Sequence, residues 1–420
     1  MKPLKQLGPI DVHCHFFNKE ILSLRLLIEL GMLLKLRGQR DNQGLNSVIS
    51  PLKRALHFFK TGMLPVEKIY QSLEKDESGF AFCPLMFDLE GCMIVSGVGN
   101  DCNIIQSRQQ VLEEVRLLLL ENQDSLDDFR ELSELLNKED MQELQAYDHF
   151  AKQEQQLCDL VMKYPDRIYP FFAIDPRRKE LFDNPEKQLG INKIISRLRL
   201  NGGLFSGIKL YTPNGYSPSD ERLLPLYEYC QSYQIPITAH CSASGFASFA
   251  PSIDVRGAIY ENGKVVEKKG IYKFEHNGLI DMKRVEERVR ILNHPKIWEQ
   301  LLQQYPALKL NLAHFGAQDA GKQTEWTDCI RRMMDIYPNL YTDLSCISVK
   351  SELEMMHRYY QDAPETVKSR FLYGSDYYLN ILFIDDMKCY WDNFSDLFDP
   401  DELKTITEVN PITFLNNSIY

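Results

Sequence analysis

The sequence predicts an α/β fold: a (β/α)8 TIM barrel with large helical insertions after strands 1 and 2 and a hairpin-bearing insertion after strand 5. Three observations carry this expectation. Eight short apolar segments recur along the chain, mostly separated by stretches of helical periodicity, the alternation that parallel sheets require. Eight such units in one chain suit a closed barrel better than the runner-up, an open doubly wound sheet. Polar residues also collect at the C-terminal ends of the segments, where barrel enzymes assemble their sites. Asp88, Asp175, Lys209, His240, His314, Asp343 and Asp376 all stand there.

Residues 10–15 form the first strand, and Asn18 is placed to cap a helix over 19–36 that ends near Gly38. Pro51 and Pro65 open helices reaching about 60 and 74. Strand two covers 79–88 and strand three 167–175, with a loop over 91–103 and helical patterning over 105–163 between them. Shorter units come next: helix 184–198 with strand 207–211, and helix 219–233 with strand 236–240. Residues 258–261 and 264–267 flank Asn262-Gly263, a hairpin signal. Helix 295–305 precedes strand 308–314, helix 325–337 precedes strand 340–343, and helix 351–360 precedes strand 371–376. No repeat or low-complexity linker divides residues 1–420, so they are expected to form one domain with insertions at about 17–79, 89–166 and 242–294. Insertions after strand ends are where substrate choice resides.

Composition narrows the class of function. The 420 residues are 44% hydrophobic and 25% charged, an ordinary globular balance. With 48 basic and 59 acidic side chains the net charge is −11, which argues against nucleic acid as a partner and leaves a small-molecule substrate open. Ten dispersed cysteines, with no C-x-x-C pair and no secretory signal, point to reduced thiols in a cytoplasmic protein. The most apolar stretch, 21–36, is interrupted by Arg25, Glu29 and Lys35 and is too charged to span a membrane. Self-association into a homo-oligomer is left open.

The chemistry begins at Ile10-Asp11-Val12-His13-Cys14-His15. In an extended strand Asp11, His13 and His15 share one face, so two imidazoles stand side by side. Such a pair suits a borderline-soft divalent metal completed by a carboxylate and water, although two histidines on a solvated strand are the plainer alternative. Cys14 and Cys241 each adjoin a candidate histidine, and strand alternation turns both away into the packing. His57, His149, His276, His294 and His357 lack strand-end placement and are assigned no chemistry.

The ordered set Asp11-x-His13-x-His15, Lys209, His240, His314 and Asp376 resembles the amidohydrolase superfamily. Leu312-Ala313-His314-Phe315-Gly316, Tyr337-Pro338-Asn339-Leu340-Tyr341-Thr342-Asp343, Phe371-Leu372-Tyr373-Gly374-Ser375-Asp376 and Asn410-Pro411 are similar to its amidohydrolase-related subgroup, the aminocarboxymuconate-semialdehyde decarboxylase-like metal-dependent hydrolases. The resemblance spans most of residues 9–415 but not the insertions. It implies a divalent metal, zinc by preference and one ion rather than two, held by His13, His15, His240 and Asp376. Lys209 joins the ligands if two ions are bound, as a carboxylated lysine does in binuclear members; otherwise it meets an acidic substrate group. His314 and Asp376 are the implied catalytic pair. Metal lowers the pKa of bound water toward about 7. Asp376 then moves protons and His314 polarises a carbonyl or stabilises negative charge. Tyr211, Arg177, Ser242 and Tyr377 follow these strands and are expected to touch substrate, as are Asn214 and Ser244; Asp11 is expected to orient an imidazole. Arg177 and Arg178 also fit a plainer account as solvated loop residues.

The preferred activity on this reading is hydrolysis of an amide, ester or lactone by metal-activated water. The alternative is nonoxidative decarboxylation of an unsaturated or aromatic acid. A binding protein without turnover ranks third, because such a protein has no need of an open metal position.

Overall fold

Each of the eight apolar segments contains a parallel strand. In the computed structural model, which describes residues 7–18, 51–88, 149–245, 252–274, 282–317 and 323–416, they are β1 (Ile10–Cys14), β2 (Ala81–Pro84), β3 (Phe171–Ile174), β4 (Gly207–Leu210) and β5 (Ile237–Ala239), then β8 (Leu310–Leu312), β9 (Leu340–Asp343) and β10 (Phe371–Leu372). All their residues are buried, which is why they read as apolar runs without alternation. Six strands pair in the order β10-β9-β8-β5-β4-β3, and β1 pairs with β2. Backbone hydrogen bonds join the two sheets at both seams. At one, Phe82 N donates to Arg167 O (2.7 Å) and Tyr169 N to Phe82 O (2.8 Å); at the other, Val12 N donates to Tyr373 O (3.1 Å) and Asp376 N to His13 O (2.7 Å). The circuit of eight is therefore closed, and His13 and Asp376 meet at a seam although 363 positions separate them.

Helices fill the connections. The helix α1 spans Pro51–Gly62 and α2 spans Val66–Asp76. Val66, Ile69, Tyr70 and Leu73 of α2 are buried at the spacing of one helical face. The helices α3 (His149–Lys163), α4 (Leu224–Tyr233), α5 (Met282–Asn293), α6 (Pro295–Gln304), α7 (Glu325–Ile336) and α8 (Lys350–Gln361) follow. His294 caps α6: its ring accepts from Lys296 N, and Pro295 occupies the first helical position. Beneath the site, Phe414 and Leu415 of the closing helix Asn410–Leu415 join Val12, Phe171, Tyr341 and Leu372 in one apolar cluster. Phe414 stacks on Phe171 at 6.2 Å.

The hairpin after β5 is longer than its sequence signal. β6 (Ser252–Glu261) and β7 (Lys264–Lys273) pair antiparallel through ten residue pairs. Asn262 (φ 52°) and Gly263 (φ 80°) form a turn whose positive dihedrals suit Asn-Gly.

Three expectations need correction. Residues 184–198 do not form one helix: only Asn192–Ile195 is helical there, flanked by turns. Pro185 and Gly190 (φ 80°) interrupt the segment, and Asn184 bridges back to Leu189 instead. Helix 219–233 starts only at Leu224, one residue before Pro225. Strands also end earlier than drawn, so His15, His240, His314 and Asp376 lie on the turns just past them. The helix over 19–36, the loop over 91–103 and the patterning over 105–148 lie outside the described residues.

Candidate active site

Four chain turns bring the site together. His13 lies within β1 and His15 follows the strand directly; Asp376 follows β10. The Nε2 atoms of His15 and His13 lie 3.2 and 3.5 Å from Asp376 Oδ1. The opposite ring nitrogens are already committed: His13 Nδ1 to Asp343 Oδ2 (3.0 Å) and His15 Nδ1 to Leu85 O (2.9 Å). Both partners only accept, so Nδ1 carries the proton and each Nε2 turns a lone pair toward Asp376. Asp376 Oδ1 is buried and has no hydrogen-bond partner among the described residues. His13, His15 and Asp376 thus present three donor atoms within 4.8 Å of one another. Converging lone pairs with their far sides hydrogen-bonded are the donor chemistry that fits a divalent cation.

A second set adjoins it. His314 sits in the tight turn Ala313–Gly316 with φ 63°, and Asp376 has φ 52°. Non-glycine residues in the left-handed region cluster at functional sites. Asp343, at the end of β9, accepts from His13 Nδ1 and Asn311 Nδ2 (2.7 Å) on one oxygen and from His314 N (3.0 Å) and Ser345 on the other. His240 stands apart from the trio. Its Nδ1 lies 3.0 Å from His314 Nε2, and its Nε2 lies 2.7 Å from Ser244 O and 3.2 Å from Ser242 Oγ. The Ser244 carbonyl only accepts, so the His240 proton belongs on Nε2. Nδ1 is left bare, a further nitrogen available to a cation.

Burial sets the protonation states. It pushes the His13, His15 and His240 rings toward the neutral form and lowers His314 to about 4. Burial opposes charge on Asp376 and Asp343 too. For Asp376 the nearby His15, His13 and His314 outweigh it, and for Asp343 His13 and His314 do, so both carboxyls stay below their usual range. Lys209, buried at the end of β4, is lowered to about 8 by desolvation, with Asp343 and Asp376 pulling the other way. Beside Asn311 and Thr238 it forms an inward polar row, because paired positions on β4, β5 and β8 are in register.

The other expected residues divide. Tyr211 lies 4.8 Å from the His240 ring and 4.4 Å from Phe87, which in turn lies 5.4 Å from His15, so aromatic faces curve around the donors. Ser242 is beside His240, as above. Arg177 grips Asp175 through Nε (2.8 Å) and Nη2 (2.5 Å) and reaches Asn214 O (3.2 Å), holding loops at the mouth. Arg178 is buried and binds Asp88 through Nε (2.5 Å) and Nη2 (3.0 Å), so neither arginine is a solvated loop residue. Tyr377 is turned into the core, where its ring meets Phe16 and Tyr378 and its hydroxyl pairs with Ser72 on α2. Asp11 braces backbone: it accepts from His13 N (2.9 Å), Ser375 N (3.1 Å) and Ser375 Oγ. The imidazole that Asp11 was expected to orient is held by Asp343 instead. Cys14 and Cys241 are buried in the core.

Sequence reasoning placed Asp343 at a strand end but gave it no task, and it passed over Ser345. The signal was present in Asp343-Leu344-Ser345, where a carboxylate and a hydroxyl leave the same strand together.

No curated protein matches the chain. Among solved structures, 5-carboxyvanillate decarboxylase from Novosphingobium aromaticivorans, complexed with manganese and 4-hydroxy-3-methoxy-5-nitrobenzoic acid, is 13% identical with a TM-score of 0.50, covering 98% of this chain and 96% of its own. It shows a shared fold. 2,6-Dihydroxybenzoate decarboxylase from Rhizobium is 12% identical over 98% of this chain and 99% of its own, with a TM-score of 0.45. 4-Oxalomesaconate hydratase from Rhodopseudomonas palustris is 13% identical over 97% and 95%, with a TM-score of 0.44. The amidohydrolase family model matches residues 10–416, nearly the whole barrel with every strand described above, and the chain belongs to the amidohydrolase family.

Proposed function

We propose that this chain is a metal-dependent carboxy-lyase that removes carbon dioxide from a small aromatic or unsaturated acid. The observation that carries the reading is the convergence of His13 Nε2, His15 Nε2 and Asp376 Oδ1 beneath the rings of Phe87 and Tyr211. His13, His15, His240 and Asp376 would hold one divalent ion, zinc or manganese, with Lys209 left to the substrate. When bound, such an ion supplies a positive charge that orients an anionic substrate and offsets developing negative charge.

The chain's own groups do the rest. Lys209 meets the acidic group of the substrate, and the ring faces of Phe87 and Tyr211 pack a flat apolar body in a medium where that charge pair is strong. In the reaction the bond between the carbon skeleton and the carboxylate breaks, carbon dioxide leaves, and the electron pair stays on carbon, where a proton replaces it. Asp376, ionised at rest, takes up one proton from solvent and delivers it to that carbon; its low proton affinity makes it a strong acid once loaded. His314 stabilises the charge that develops meanwhile. The manganese-bound decarboxylase of the same fold supports the reading, and it reverses the order of preference drawn from the sequence.

Hydrolysis is the second reading. It is favoured by the environment that keeps Asp376 ionised, the state a base needs to take a proton from water. Zinc- and manganese-loaded protein offered hydroxybenzoates and unsaturated diacids is expected to release carbon dioxide. Turnover confined to lactones, esters or amides would replace the lyase with the hydrolase.

A further inference from the structure

We propose that Asn293, the last residue of α5, is a positioning residue for the site: its side-chain amide ties the turn after β4 to the turn after β5 and so holds Tyr211 and His240 against each other. The inference rests on the proposed function for His240 as a metal ligand and for Tyr211 as a substrate contact, and it gives the insertion after β5 a task in the site.

The ladder between β4 and β5 runs out before the chemistry begins. Leu210 and Ala239 are its last paired residues, and one more bond, from His240 N to Leu210 O at 3.0 Å, closes it. Past that point the two chains part into separate turns. Asn293 bridges them further on: its Nδ2 donates to Ser242 O (2.8 Å) and its Oδ1 accepts from Thr212 Oγ1 (3.0 Å). A carbonyl only accepts, so the amide has one orientation. Asn293, Thr212 and Ser242 are all buried, so without the amide a carbonyl and a hydroxyl would lose these partners away from water. The plain reading of an asparagine at a helix end is a stop for its own helix. Here both ends of the amide reach other turns.

The bridged turns carry one wall of the pocket. Tyr211 precedes Thr212, His240 lies two residues before Ser242, and their rings are 4.8 Å apart. The chain then passes close to both: a Cβ on Gly245 would lie 2.8 Å from His240 Nε2 and 2.8 Å from the Tyr211 hydroxyl. With packing this close, a shift of the turn shifts the rings. Asn293 is itself fixed by the insertion. Ile291 and Leu292, just before it, join Ile253, Val255 and Ile259 of β6 in one apolar cluster, and His294, just after it, caps α6. The hairpin anchors α5, and α5 anchors the two turns through a single amide.

Hydrogen exchange on the metal-free, full-length protein reads the turn directly. Asn293→Ala is expected to speed exchange of segment 240–245 about tenfold with β8 and β9 unchanged, and to raise the Kd for manganese about tenfold, the low end for partners that orient ligands. Thr212→Val removes one of the two bonds; it should move both readouts in the same direction and serves if the alanine variant does not fold. Val289→Ala, a buried truncation one turn earlier on α5, should lower the urea midpoint and move neither readout. Unchanged exchange over 240–245 overturns the proposal. So does faster exchange with an unchanged Kd, or a Val289→Ala that matches Asn293→Ala in both. If wild type binds no manganese or turns over no acid, the function proposed above fails, while the exchange of 240–245 still decides whether Asn293 holds the turns.

Discussion

Two buried carboxylates at neighbouring strand ends have different tasks because their surroundings differ. Asp343 accepts hydrogen bonds on both oxygens, from His13, Asn311, His314 and Ser345, and is used up in holding other groups. Among the described residues Asp376 Oδ1 has no hydrogen-bond partner and faces two imidazole lone pairs. Only the second is free to bind or transfer anything. Asn tolerates the left-handed backbone of position 376 (φ 52°), so Asp376→Asn should fold normally. Its kcat should fall by roughly 10²–10⁴-fold, the contribution of a positioned acid or base. Steady-state assays with a parallel melting curve check this, and full activity in that variant would remove Asp376 from the mechanism.

At the scale of elements, turns rather than strands carry the chemistry. The eight barrel strands are two to five residues long, and His15, His240, His314 and Asp376 all follow them. One element has its own pH response. The cap of α6, His294, is stacked on Tyr260 at 3.5 Å with Glu325 3.4 Å away, and burial lowers its pKa to about 3. Free in the unfolded chain, the ring titrates near 6.5. Between those values the unfolded state binds a proton that the folded state refuses. The stabilisation is therefore complete above about pH 6.5 and is lost as pH falls toward 3, by at most ~1.4 kcal/mol per pH unit for one group. Asn keeps the capping oxygen but does not titrate. The stability gap between wild type and His294→Asn in urea should therefore narrow from pH 7 to pH 4.5; a gap that stays constant would contradict the assignment.

For the whole molecule, closure of the barrel sets the distances in the site. The seam between β1 and β10 puts His13 and Asp376 in contact, and Phe414 plugs the floor below them against Phe171 and Tyr341. Phe414→Ala should cost about 3–5 kcal/mol, read as a lower urea midpoint with an unchanged slope. If a cation belongs between His13, His15 and Asp376, adding zinc or manganese at a hundred times its Kd should stabilise chelated protein by about 2.7 kcal/mol, and His13→Ala should abolish that gain. The fold was legible because buried parallel strands must be apolar and must be separated by crossovers, both of which are written locally. Four donor candidates were legible for a similar reason: polar side chains at the ends of apolar runs have few structural uses. Helix 184–198 was misread because Pro185 and Gly190 outweigh its apolar spacing, and Tyr377 because strand-end position does not say which way a ring turns. By itself the sequence determined the strands, their order and the residue types at their ends. Only the tertiary structure decided that Asp343 holds the His13 ring and the His314 main chain, that Asp11 braces backbone and that Arg177 is committed to Asp175, because those partners are chosen by barrel closure and turn geometry rather than by neighbours in the chain.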